Sequence, residues 1–194
     1  MLNAKYLLLT CLFALCFTTI NAEAGCNGSC TLVEGEDWEV NTITHLWDET
    51  VVVDDLNVNI GATLKLENVT INITGHVEID GNTEWINSNI LYLGEELGSN
   101  ITVKKKLEII STNVTLNQTA YSAGNVIGFY LAENSELIIK DSDNNPSTPD
   151  DRSIIKGLNS TYMAWYINNN RDYENSINIQ NSELIRCILY NWGS

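Results

Sequence analysis

The oxygen-rich run Asp141-Ser142-Asp143-Asn144-Asn145 is the part of this chain best equipped for chemistry. It puts carboxylate or carboxamide oxygens at alternate positions, as a calcium loop does at its first, third and fifth residues. Asp150 and Asp151 close the same segment. Asp141, Asp143, Asn145 and Asp150 are therefore the candidate calcium ligands. Two positions depart from a helix–loop–helix calcium site: Pro146 stands where the turn needs glycine, and Arg152 where a bidentate glutamate completes the cage. With Pro146 and Pro149 in the segment, the competing reading is a solvated acidic loop that bulges from the fold.

Catalysis has fewer candidates. Glycoside hydrolysis needs two carboxyls at a set separation, one of them protonated. Asp54-Asp55 and Asp150-Asp151 are adjacent acids, but neither His45 nor His76 has a nucleophile beside it. No catalytic residue is assigned. Tyr162 and Tyr166 share a strand parity opposite to Met163, Trp165 and Ile167. If the second set is core, the two tyrosines form a platform on which a sugar ring stacks, with Asn168, Asn169 and Asn170 beside it. Aromatic stacking between neighbouring strands is the alternative.

Both the beginning and the composition limit the partners. Residues 1–24 read as a signal peptide: Lys5 precedes an apolar run over residues 6–20, and Ala22 and Ala24 take the small-residue positions before cleavage. The run is too short for a bilayer span, so no transmembrane segment is expected in the mature chain. Removing residues 1–24 takes away one charge of each sign, Lys5 and Glu23, and the net charge stays −15. Such acidity argues against nucleic acid and anionic membranes, which require clustered Lys and Arg. In an oxidising compartment Cys26 and Cys30 can close a small disulfide loop, and Cys187 reads as a buried hydrophobe.

The elements that carry these residues are strands. Residues 64–71 read LKLENVTI, and the phrase returns loosely at residues 111–116, 137–144 and 177–184. Each copy alternates apolar and polar residues, then sets Asn or Asp where the alternation slips. Repetition at tens of residues signals stacked units that bury apolar faces only against neighbours. Around Asn68 the inward parity passes from Leu64 and Leu66 to Val69, Ile71 and Ile73, which places a corner there. Asn68, Asn113, Asp141 and Asn181 are read as inward corner residues, the asparagines forming an amide ladder along the stack. Of the glycan acceptor sequons, Asn72, Asn100, Asn117 and Asn159 are expected to be modified, while Asn68 and Asn113 are expected to lie inside. Helical periodicity is nearly absent, and no Asn-Gly hairpin signal occurs within the repeats. The expectation is an all-β, right-handed parallel β-helix, with a cap at residues 25–50 containing Trp38 and Trp47, and repeats over residues 51–194.

The layout resembles exported surface proteins of the pectate-lyase-like superfamily, of the archaeal and bacterial adhesin or surface-layer type. The stretches that carry the likeness are Asp37-Trp38, VVVDDLNVNIGATLKLENVTI at residues 51–71, and NVIGFYLAENSELIIKDS at residues 125–142. The resemblance implies a non-catalytic extracellular or cell-surface scaffold that contacts envelope components or glycans, with no required cofactor and calcium as an option. The superfamily's enzymes carry Asn-Thr-Asp, Gly-His-Gly or Arg-Ile-Lys motifs, and here Val77 replaces the second glycine after Gly75-His76. A carbohydrate-active helix with catalytic coils beyond Ser194 is the alternative. The apolar residues from Leu184 to Trp192 carry no polar cap, so a truncated end, a covering partner or end-to-end self-association is expected there.

Overall fold

The computed structural model describes residues 25–94, 100–117, 127–157, 163–168 and 176–192, with 163–168 and 187–192 described by backbone alone. The signal-peptide reading of residues 1–24 lies outside them. Among the described residues, twenty strands fall into three sheets. The first sheet runs β2 (Trp38–Val40), β5 (Leu56–Val58), β8 (Val77–Ile79), β11 (Ile101–Val103), β14 (Ile127–Leu131), β17 (Met163–Asn168) and β20 (Cys187–Trp192). The second runs β1 (Gly25–Asn27), β3 (Ile43–Trp47), β6 (Thr63–Glu67), β9 (Asn82–Ile86), β12 (Lys106–Ile110), β15 (Glu136–Lys140) and β18 (Ser176–Ile179). The third holds β4 (Thr50–Val53), β7 (Thr70–Ile73), β10 (Asn89–Tyr92), β13 (Asn113–Leu116), β16 (Ile154–Gly157) and β19 (Glu183–Ile185).

From β2 onward the chain visits first, second and third sheet in unbroken rotation, and each strand pairs parallel with the strand three places later. One exception opens the chain: β1 lies antiparallel on β3. The fold is therefore all-β with parallel strands in three sheets, an arrangement consistent with a parallel β-helix. One passage through the three sheets is called a round below.

Alternation explains the packing. Leu56 and Val58, Leu64 and Leu66, and Ile71 and Ile73 are fully buried, while the residues between them are half-exposed. Each side chain so buried contributes about 1.5–3 kcal/mol of hydrophobic stabilisation. Trp38, Trp85, Tyr92 and Phe129 are the largest side chains fully buried in this interior. The simple alternation fails at Ile60, which is 86% exposed. Gly61 turns the chain there at φ +81°, and Ala62 takes the inward place instead.

The corners differ from the sequence reading. Asn68 is exposed and left-handed at φ 56°, and its amide donates to Asp48 Oδ1 at 3.1 Å. Asp48, Asn87, Ser111 and Asn181 are also left-handed, at φ 54°, 49°, 48° and 44°. Asn and Asp recur at this corner because they tolerate that conformation. No inward amide ladder is needed to explain them. Asn113 is not a corner residue; it is the exposed first residue of β13. Asp141 points inward, and the Asn181 amide reaches Asn144 Oδ1 at 3.3 Å.

Three inward corner positions, at Ser88, Thr112 and Ser153, carry hydroxyls. Ser88 Oγ accepts the Val69 N–H at 3.1 Å, Thr112 Oγ1 accepts the Ser88 N–H at 3.1 Å, and Ser153 Oγ accepts the Thr112 N–H at 3.2 Å. Each hydroxyl also donates to the carbonyl that precedes its own corner: Ser88 to Ile86 O, Thr112 to Ile110 O, and Ser153 to Lys140 O, at 2.7–2.8 Å. All three side chains are buried. A hydroxyl suits the place because it satisfies a donor and an acceptor at once in a site closed to water.

Candidate functional site

The corner between the second and third sheets is where the chain departs from its own rule. Two residues make it after β3, β6, β9 and β12, and three after β18, but residues 141–153 intervene between β15 and β16. Asp141 follows the outward-facing Lys140 and turns into the interior, where it is 1% exposed. Neither of its carboxylate oxygens has a hydrogen-bond partner. The chain then loops out. Asp143 Oδ1 accepts the Asn145 N–H at 2.8 Å, and the Thr148 hydroxyl lies 3.0 and 3.1 Å from the two Asp143 oxygens. Arg152 Nη2 donates to Pro146 O at 3.0 Å, which fastens the loop's base.

Asp151 brings the loop back. Its Oδ2 accepts from Ser142 Oγ at 2.7 Å, and that bond holds the Asp151 carboxyl below the ordinary aspartate range. Its Oδ1 is buried without a partner. Carboxylate oxygens of Asp141, Asp143 and Asp151 lie within 4.8 Å of one another. This grouping corrects the sequence-derived one. Asn145 turns its side-chain oxygen back onto the Ser147 N–H at 3.0 Å, and Asp150 is exposed outside the triad. The left-handed Asn144 and the 3-10 turn Pro149–Asp151 bend the chain between the two ends of the loop, and Asp151 is the acid of the pair that converges.

A second grouping lies along one register line of the first sheet. Register aligns Glu39, Asn57, Glu78, Thr102, Tyr130, Tyr166 and Tyr190 across seven successive strands. At its early end Glu39, Asn57, Asn59, Glu78 and Asp80 line a shallow polar hollow. Asn57 and Asn59 donate to the two Glu39 oxygens at 2.9 and 3.0 Å. Lys104 pairs with Glu78 and, at 3.2 Å, with Asp80; the Glu78 hydrogen bond is the main cause that raises the lysine above its ordinary value. Of the proposed sugar platform, Tyr162 lies outside the described residues, and Tyr166 is placed by backbone register alone.

Sequence reasoning missed a third meeting. Asp54 and Asp55 sit one round before Gly75 and His76. His76 N–H donates to Asp55 Oδ1 at 2.5 Å, its Nδ1 lies 3.6 Å from the same oxygen, and Thr74 Oγ1 donates to Asp54 Oδ1 at 2.9 Å. A β-carbon at Gly75 would collide with Asp55 Oδ1, so glycine is what lets the carboxylate reach the backbone. His45 makes a comparable outward pair, its Nε2 3.0 Å from Glu67 Oε2, with Lys65 Nζ 2.7 Å from that oxygen. The hydrogen bond from Lys65, ahead of His45, keeps the Glu67 carboxyl below the ordinary range. The only sequence signal for these pairs is spacing near the length of a round.

Cys26 and Cys30 are joined as a disulfide. The loop they close lies against the first round, where Ser29 N–H donates to Thr44 Oγ1 at 2.8 Å and the buried Trp38 indole donates to Ser29 O at 2.7 Å. Among the sequon asparagines, Asn68 and Asn113 are exposed, contrary to the inward expectation, and Asn72, Asn100 and Asn117 are half-exposed. Asn100 Oδ1 also accepts the Gly128 N–H at 3.2 Å. Asn159 lies outside the described residues. No family model, curated protein or solved structure matches this chain. Its architecture therefore rests on strand order and register. Among the described residues no helix is long and apolar enough to cross a membrane.

Proposed function

We propose that this chain is an exported, right-handed parallel β-helix that serves a cell envelope as a non-catalytic adhesin or scaffold. The supporting observation is the strand rotation, in which successive rounds from β2 to β19 are hydrogen-bonded through all three sheets. Stacked rounds of that kind make a solenoid stiff along its axis, which suits a rod that holds loops and glycans away from a surface. The signal-like pattern of residues 1–24 and the disulfide Cys26–Cys30 support export. The partners in this reading are envelope components or glycans, and copies of the chain stacked end to end.

A carbohydrate-active helix is the second reading, and the acidic hollow of Glu39, Glu78 and Asp80 favours it. Incubating the purified mature chain with polyuronates and neutral glycans separates the two. The scaffold reading expects binding without bond cleavage. New reducing ends or unsaturated products would replace it with the second.

A further inference from the structure

We propose that Asp141, Asp143 and Asp151 form a calcium-class cation site that closes the 141–153 insertion onto the stack. The inference goes beyond the scaffold reading and does not depend on what the surface contacts.

Three observations carry it. Asp141 is buried to 1% exposure, both its oxygens lack a donor, and it faces two other carboxylates. A buried carboxylate is costly unless it is paired or coordinates a metal. Among the described residues, Asp141, Asp143 and Asp151 make no ion pair with any Lys, Arg or His within 4.0 Å. The second observation is the partnerless, buried Asp151 Oδ1, which adds another oxygen to the unneutralised group.

Size is the third. Oxygens within 4.8 Å of one another lie no more than about 2.8 Å from a common centre, so a small closure of the loop brings all three to the bonds of about 2.3–2.6 Å that calcium makes. Magnesium, with bonds of about 2.0–2.1 Å and a strict octahedron, demands a tighter approach and retains its waters. Three carboxylates fall short of calcium's usual six to eight oxygens, so water and loop carbonyls complete the shell and the affinity is modest. Dissociation constants of about 10⁻⁴–10⁻³ M are typical of extracellular calcium modules.

The ion's structural role follows from its position. Asp141 directly follows β15, and Asp151 stands shortly before Ser153, the hydroxyl that binds Thr112 N–H and Lys140 O. A cation shared by the two acids pins both ends of the insertion where the corner would otherwise be two residues long. The stack then continues in register from β13 to β16.

The test uses the mature chain freed of metal by chelation. Calorimetric titration with calcium chloride should show one site, and 5 mM calcium should raise the melting temperature by about 5 °C at constant ionic strength. Asp143→Asn changes an exposed loop residue and should fold normally, yet lose most of the shift. Asp141→Asn should abolish the shift and melt higher than the metal-free parent, because an unneutralised buried charge is removed. Asp150→Asn should keep the full response. No binding heat at 10 mM calcium, equal shifts from calcium and magnesium, or an undiminished response in both the Asp141 and Asp143 variants would overturn the proposal.

Discussion

Thr112 Oγ1 lies 3.1 Å from the amide nitrogen of Ser88, the residue that holds its place one round earlier. The single proton of the same hydroxyl faces two carbonyls, Ile110 O at 2.8 Å and Trp85 O at 3.0 Å. One small polar side chain thus joins two rounds at a buried corner. Replacing it with valine preserves the shape and leaves the Ser88 N–H without an acceptor. Thr112→Val should destabilise by about 1–3 kcal/mol, and Thr112→Ser by clearly less, in denaturant titrations. Equal stability of the valine variant would mean the ladder does not hold the corner.

Gly81 occupies the turn between β8 and β9, and a β-carbon there would strike the Ala62 carbonyl and lie 2.8 Å from Asn59 O. Both obstacles are backbone in the neighbouring round and cannot swing aside. Gly81→Ala should therefore cost about 1–3 kcal/mol. Gly35 is a useful contrast, because nothing lies within 4 Å of its β-carbon position. Its φ of +76° means that alanine there tests backbone strain alone.

Glu108 stands between Lys140 and Lys106, at 3.1 and 3.3 Å, with its side chain 15% exposed. Burial alone would raise its carboxyl, but the bonds from Lys140 and Lys106 outweigh it and hold the group below the ordinary 4.5. A depressed folded-state value contributes stability that is complete above the ordinary range and lost as pH falls through the folded value. Glu108→Gln should accordingly lower stability by about 0.5–1 kcal/mol at neutral pH. Below pH 4 the difference from the parent should shrink, as read from melting temperature against pH.

Asn113 begins β13 with its side chain exposed, and its sequon runs on through Val114 and Thr115. In a host that glycosylates secreted proteins, Asn113 should carry glycan, and intact-glycopeptide mass spectrometry would detect it. Asn100 should be modified less, because its side-chain oxygen is already bonded to Gly128 in the next round. A bare Asn113 beside a fully occupied Asn100 would contradict this ordering.

The alternation of apolar and polar residues was enough to identify an all-β chain, to separate inward Leu64, Leu66, Val69 and Ile71 from their outward neighbours, and to locate the corner at Asn68. Those are local properties, because a strand's two faces alternate along its own sequence. Local pattern also drew attention to the acidic segment at residues 141–151. Which way Asn68 turns, that Ser88, Thr112 and Ser153 are the inward corner groups, that Asp151 rather than Asp150 meets Asp141, and that Asp55 reaches His76 were decided only in three dimensions. Outside the acidic loop, each of those contacts joins residues about a round or more apart. Within the loop, a left-handed residue and a 3-10 turn bend the chain between the acids that meet. In both cases the partner is set by backbone register and dihedral angle, and neither is encoded in the type of the residue that is positioned.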